Sequence, residues 1–413
     1  MTTTGRKPSF FNYPAQFYIL AAGNLVVTTG GSMVWPFLTI YLRQTLDLPL
    51  GTITFLLMIN SGMSFLSSIL AGPLIDRVGR KGIMTISMFA TAVYYILMSQ
   101  ADQFWMFAVL MGLGGLFNPL YPVGSNAMIA DLVPSEQRTD AYALLRVAHN
   151  VGVALGPAIG GFITAVSYDN AFYTGAAAFL FFAIFNIFFI RETLPTGTQI
   201  GEAGQTSSKG YGPVLADRRF LLFMGMFTLT MMSASVMFLL LPVYTNENFN
   251  LPESRYGFIV TANALMCIFV QYFVTLWTKR QKHFVMLGVG ALFYAVGVGS
   301  VALGRGFTAW VISMVIMTIG ELIATPTATS LVANLAPMDM RGRYMSIYQL
   351  TWPAASLGPV IAGYFNDNFS PAAIWYCGFF YGLLGALGFF VLHRIYGKRA
   401  DGLQIQPADP PVA

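Results

Sequence analysis

Charge is what this chain of 413 residues has least of: 22 Lys and Arg with 17 Asp and Glu make up only 9% of it, where a soluble globular domain carries about 25%. An ordinary nucleic-acid binder is excluded despite the net charge of +5, because the basic residues sit in short loops and form no stripe. Cysteine and histidine are almost as scarce. Cys267 and Cys377 lie far apart in apolar stretches and the three histidines are scattered, which excludes a disulfide framework, a zinc or other metal site and a haem site. No cofactor and no catalytic constellation is expected, so the chain does not read as an enzyme. What it has in abundance is apolar surface, at 56% of residues. That composition is an integral membrane protein's, and its length has room for about twelve spans of about 20 residues each.

Apolar runs between charges and turn residues place those spans near 16–42, 52–75, 82–100, 103–130, 140–165, 171–190, 219–245, 256–278, 284–304, 307–333, 343–365 and 372–395. The first run follows Arg6 and Lys7 as a signal peptide would, yet continues to about Tyr41 without a small-residue cleavage site, and reads as a retained helix. The predicted fold is an all-α polytopic membrane protein, with twelve transmembrane helices in two pseudo-symmetric six-helix bundles. Its parts are a first bundle over 1–190, a polar cytoplasmic linker over 191–218, a second bundle over 219–399 and a proline-rich, disordered tail over 400–413. With both termini in the cytoplasm, eighteen of the 22 basic residues fall on that side. Only Arg43, Arg255 and Arg305 fall outside, and Arg146 lies within a span. That asymmetry is the one expected of cytoplasmic loops.

An internal repeat supports the two halves. Ala130 to Arg138, followed by Leu155-Gly-Pro157 and Gly161, recurs as Ala333 to Arg341, followed by Leu357-Gly-Pro359 and Gly363, at offsets of 203 and then 202. Two such halves are the build of a rocker-switch transporter with a midplane site between them.

Gly72-Pro-Leu-Ile-Asp76-Arg77-Val-Gly79-Arg80-Lys81 resembles the loop 2–3 signature of the major facilitator superfamily, and Gly152-Val-Ala-Leu-Gly156-Pro157-Ala-Ile-Gly160-Gly161 resembles the antiporter motif of its drug:proton antiporter branch. Ser125 to Asp131 and Gly320-Glu321 with Thr325-Pro326 are similar to the twelve-helix bacterial multidrug exporters of the LmrP and MdtH type. Departures exist: the loop motif has no copy in the second half, span four lacks an arginine, and span seven lacks an acid. The resemblance implies a conformational gate at Gly72, Asp76, Arg77, Gly79, Arg80, Asp131 and Arg341. In it Asp76 would face the N-terminal end of helix eleven near Arg341, and Arg80 would pair with Asp131, both only while the cytoplasmic side is closed. It also implies that Pro157 and its glycines seal the path between halves, a role added to plain helix packing.

Three ionisable residues lie within spans: Arg146, His149 and Glu321. Such a group costs about 2.5–3.5 kcal/mol at mid-membrane on insertion scales and is a functional candidate by default. Glu321, the one carboxylate well inside a span, is the first candidate for proton coupling, with Asp131 and His149 behind it. Arg146 either snorkels to the cytoplasm or serves the cavity, and His149 is as readily a packing residue. Polar residues at helical spacing, Asn24, Thr28 and Trp35, Asn263 and Gln271, Gln349 and Trp352, form stripes that either line a cavity or bond between helices. With Tyr121, Arg146, Met237, Phe238 and Glu321 they would make a large amphipathic pocket. The expected protein is a monomeric, proton-coupled exporter of amphipathic, cationic organic compounds in a prokaryotic inner or plasma membrane, whose partners are lipids, protons and a small substrate. An uptake symporter and a lipid or lysophospholipid translocator are the rival readings. A receptor or intramembrane enzyme would need a ligand domain or a nucleophile and metal set that the sequence does not display.

Overall fold

A computed structural model of the chain describes residues 13–134, 137–194, 211–337 and 340–401. The interior of the expected linker, 195–210, and the tail from 402 lie outside the described residues. So do the side-chain surroundings of Gly72, Asp76 and Arg341, whose backbone is described. Helices follow in this order: α1 Ala15–Leu46, α2 Leu50–Val78, α3 Arg80–Met98, α4 Phe104–Leu132, α5 Arg138–Thr164 and α6 Tyr168–Phe189. A short helix, Gly212–Ala216, leads into the second series. That series is α7 Arg218–Phe249, α8 Glu253–Phe269 with Gln271–Thr278, α9 His283–Leu303, α10 Phe307–Leu335, α11 Arg341–Tyr348 with Thr351–Ala355 and Leu357–Asn368, and α12 Ala373–Asp401.

Among the described residues ten of these are single helices long and apolar enough to cross a membrane, and α8 is an eleventh with a bend of 55° at its break. The span expected over 343–365 is instead the three short helices of α11. Pro353 and Pro359 lack the N–H that would close the ladder, and the breaks fall just before each.

Turn chemistry repeats between halves. Asp47 ends α1 in the left-handed region (φ 49°) and Leu48-Pro49 lead into α2; Asn250 ends α7 the same way (φ 54°) and Leu251-Pro252 lead into α8. Asp and Asn tolerate this conformation better than other side chains, and proline suits a helix start. The separation, 203 residues, is that of the repeat found in the sequence.

Each half closes on its own core. In the first, α1 packs on α5 and α6, α3 on α6 and α2 on α4, around Tyr95, Phe107 and Phe172. In the second, α9 lies against α10 and α12, α7 against α12 and α8 against α10, around Phe223, Trp310 and Trp375. Polarity is inverted outside: Phe188 is 76% exposed and Phe181 61%. Such a surface is stable only in hydrocarbon, and helices are the structure that satisfies its backbone there.

Candidate functional site

Basic residues 77–81 mark one end of the molecule, the basic end. At the opposite, far end the halves are joined. There Arg43 donates to Glu247 at 2.9 Å and the Tyr168 hydroxyl to Glu253 at 2.8 Å. Asp367, at the end of α11, accepts the backbone N–H groups of Leu50 and Gly51 at 3.0 and 2.9 Å, so a carboxylate of one half caps a helix of the other. Phe37 meets Tyr256 and Phe162 meets Phe258 edge-on. Deeper, Thr261 donates to the Ala154 carbonyl at 2.9 Å. At the basic end Tyr344 donates to Asp217 and Arg80 pairs with Asp131, each within one half.

Between α5 and α8 the contact is backbone against backbone. A methyl group on Gly161 would stand 2.5 Å from the Glu253 carbonyl oxygen, and one on Gly257 would strike the Pro157 carbonyl. Gly152, Gly156 and Gly160 face the other way, onto Thr28, Ser32 and Met33 of α1 in the same half. The glycine run on α5 therefore serves two seams, one inside the half and one between halves.

Toward the basic end the halves diverge around a cavity of about 510 Å³, lined by Ser64, Ser68 and Val123 on one side and Ser346, Gln349 and Trp352 on the other. A second space of about 310 Å³ shares Ser64, Trp352 and Pro353 with it and adds Trp35, Asn60 and Phe238. Trp35 is 40% and Trp352 54% exposed, so two indole faces stand open in the cavity. A polar recess of about 220 Å³ lies in the first half, between Asn24, Ser125, Asn126, Tyr142, Arg146 and His149.

Glu321 on α10 accepts one hydrogen bond, from Asn263 Nδ2 at 2.8 Å, and the same amide reaches Thr318 at 2.9 Å. Arg146 stands on the other half, and no ion pair joins the two among the described residues. His149 Nδ1 meets the Thr28 hydroxyl at 3.2 Å, and Asn24 donates to the Leu145 carbonyl at 3.1 Å. The structure thus brings Arg146, His149 and Asn24 together on one recess, with Thr28 bonded to His149, and joins Asn263 to Glu321 in the other half. It corrects three expectations. Tyr121 (3% exposed) and Met237 (0%) are packed inside their cores rather than on the cavity, Tyr121 against Phe182. Gln271 spends its amide on Thr275 and the Leu322 carbonyl, stitching α8 to α10 just after its break.

The Major Facilitator Superfamily family model matches residues 20–356 and again 247–407. The chain belongs to the major facilitator superfamily. Its relatives include an uncharacterized MFS-type transporter, YttB, of Bacillus subtilis, 26% identical over 87% of this chain and 91% of that protein. A Na(+), Li(+), K(+)/H(+) antiporter of Planococcus maritimus is 26% identical over 91% and 95%, and the multidrug resistance protein MdtH of Yersinia enterocolitica is 26% identical over 92% and 93%. Among solved structures, a variant of the nucleoside transporter NupG superposes with a TM-score of 0.78 at 12% identity, covering 91% of this chain and 99% of that one. The peptide transporter POT in complex with sulfate gives 0.77 at 16% identity, over 96% of each chain. These last two establish the fold. The protein is a multi-pass membrane transporter of this superfamily.

The superfamily's loop motif is built here around a residue that sequence reading passed over, Glu192, just beyond α6. Its carboxylate accepts the backbone N–H groups of Arg80 and Lys81 at 3.0 Å each, at the first turn of α3, and those of Thr193 and Leu194 at 2.9 Å. Gly79, at φ 90°, makes room for it, since a side chain there would strike the carboxylate. Arg80 pairs with Asp131 at 3.1 Å, and Asp131 also accepts from the Thr193 hydroxyl at 2.9 Å. Arg77 is exposed at the rim. The Arg80–Asp131 pair was expected only with the basic end closed. It lies within one half, joining the loop to α4, and makes no contact between the halves.

Partial burial pushes the Glu192 carboxyl up, but the amides of Leu194, Thr193, Arg80 and Lys81 outweigh it and hold the group below its ordinary value of 4.5. A group whose folded value is depressed stabilises the fold above its unfolded value, and that contribution fades as pH falls through the folded one. Glu192→Gln is expected to cost about 1 kcal/mol at neutral pH, the usual worth of a helix cap. In thermal melts of the detergent-solubilised protein its deficit should shrink as pH falls below the ordinary carboxyl value of 4.5; a deficit that does not change with pH would refute the cap.

Proposed function

We propose that this transporter is a proton-coupled exporter of amphipathic organic compounds bearing a cationic group, working by alternating access in a prokaryotic inner or plasma membrane. The basic end is cytoplasmic, so the structure corresponds to the inward-open form. One observation carries the reading: among the described residues Glu321 is the carboxylate well inside a span, held there by Asn263, where it can exchange a proton for a cation. Aromatic walls at Trp35, Phe238 and Trp352 suit varied apolar bodies. The glycine motif on α5 supports export over uptake, as does the relative named a multidrug resistance protein.

Inverted membrane vesicles with an acid lumen test it. A cationic amphipathic dye should accumulate in the lumen and release protons from it. Accumulation instead in right-side-out vesicles, driven by inward proton flow, would replace export by uptake. Proton release on adding sodium or potassium salts alone would point to alkali-cation antiport, the activity named for the Planococcus maritimus relative.

Orientation has its own test. A cysteine introduced at Asp169 or Arg305 should react with an impermeant thiol reagent from outside intact cells. Labelling only after the cytoplasmic face is exposed would invert the topology.

A further inference from the structure

Arg146, well inside α5, lines the polar recess of the first half, and among the described residues it makes no hydrogen bond and no ion pair. Its planar fork offers five N–H donors. Its neighbours in the recess are partly committed: His149 to Thr28, the Asn24 amide to the Leu145 carbonyl, and the Tyr142 hydroxyl to the Asn126 carbonyl. Asn126 keeps its side-chain amide unused. The recess therefore presents a guanidinium and an amide donor and no carboxylate. While the basic end is open, water can satisfy the guanidinium. Once that end closes and the cavity loses its water, an unpartnered cation at this depth is costly.

On the other half stands Glu321, and it is already bonded by Asn263. The two charges sit on opposite halves with no ion pair between them among the described residues, and a space between the halves is lined by the indole and phenyl surfaces of Trp35, Trp352 and Phe238. A molecule carrying a cation alone would meet Glu321 and leave Arg146 bare. A molecule with both charges would satisfy both walls and bridge the halves as they close. We infer that the Arg146 recess seats the anionic oxygens of a carboxylate or phosphate group, and that the transported compound is a zwitterionic amphiphile whose cationic group faces Glu321. This deepens the reading given above and rests on Glu321 being its cation site.

Three short amphiphiles with one octyl chain separate the charges: octyltrimethylammonium, octylphosphocholine and N-octyl-N,N-dimethylglycine. Binding to the protein in nanodiscs of neutral lipid can be read from quenching of tryptophan fluorescence, since Trp35 and Trp352 line the cavity. At least one zwitterion should bind about tenfold or more tightly than the cation, as a charge-assisted hydrogen-bond pair allows. Which zwitterion is tighter identifies the phosphate or the carboxylate. Arg146→Gln should bring the zwitterion-to-cation affinity ratio close to one, and Arg146→Lys, which keeps the charge and loses the fork, should leave an intermediate ratio. A parent protein that prefers the cation, or a ratio unchanged by Arg146→Gln in protein with the parent's melting temperature, overturns the inference. So does inorganic phosphate displacing the zwitterion at equal concentration, which would make the recess a site for free anions. If the binding pattern holds while no pH gradient drives transport of any probe, proton coupling fails and this inference stands.

Discussion

Glu321→Gln is expected to reduce pH-gradient-driven accumulation to that of protein-free vesicles, while a neutral ligand binds as before and exchanges passively down its own gradient. Asn263 donates to this carboxylate at 2.8 Å, and a glutamine carbonyl oxygen can accept the same bond, so shape and packing survive. Only ionisation is lost. A cationic ligand should bind less tightly to the variant, because the favourable charge is gone, and in the parent its affinity should fall as pH drops. Parallel assays of proton-driven and passive flux in reconstituted vesicles decide the matter. Full proton-driven export by the variant would make Glu321 structural and turn attention to His149 or Asp131.

The second large effect separates two glycines of similar crowding. Gly160→Leu should prevent folding or cost several kcal/mol, because Gly160 meets the Met33 backbone inside one half, where the contact persists whichever end is open. Gly257→Leu should leave a folded protein that cannot close its far end. Gly257 meets the Pro157 carbonyl across the halves, and that contact is absent whenever the halves part there. Spin labels on the far ends of α5 and α8 should report a longer distance in the Gly257 variant than in the parent, and transport should stop. A Gly257 variant with parental distances, or a Gly160 variant as stable as the parent, would show that the seams have been assigned to the wrong surfaces.

Much of this was legible in the sequence because it rests on hydropathy and repetition. The spans, the division into halves and the offset of 203 needed only the apolar runs and two short matches, and the turns at Asp47 and Asn250 extend the same repeat. Glu321 stood out because a lone carboxylate in an apolar run is conspicuous. Position around the helix axis was harder to read. Tyr121 and Phe238 are both aromatic and both central, yet one faces its core and the other the cavity, and an aromatic residue in an apolar helix can face either way. Glu192, Glu253 and Asp367 escaped notice because charges near span ends usually mean solvation. Their partners are backbone groups or a tyrosine far away in sequence. The break in α11 could have been anticipated from Pro353 and Pro359, which lie six residues apart in one span.

The far-end closure has a further consequence for how the transporter meets its surroundings. Of its two side-chain carboxylate bonds, the Arg43–Glu247 pair is 26% and 38% exposed, and such a pair is worth about 0.5 kcal/mol, or roughly a twofold change in population. Dissolved ions screen it within about 8 Å at physiological ionic strength and more tightly in brine. Asp367 on its backbone amides and the Gly161 and Gly257 contacts do not depend on exposed charge pairs in the same way. Salinity on the far side should therefore trim the closed population slightly without abolishing it. On the proposed reading, the medium becomes a weak second input to a cycle whose main input is the proton.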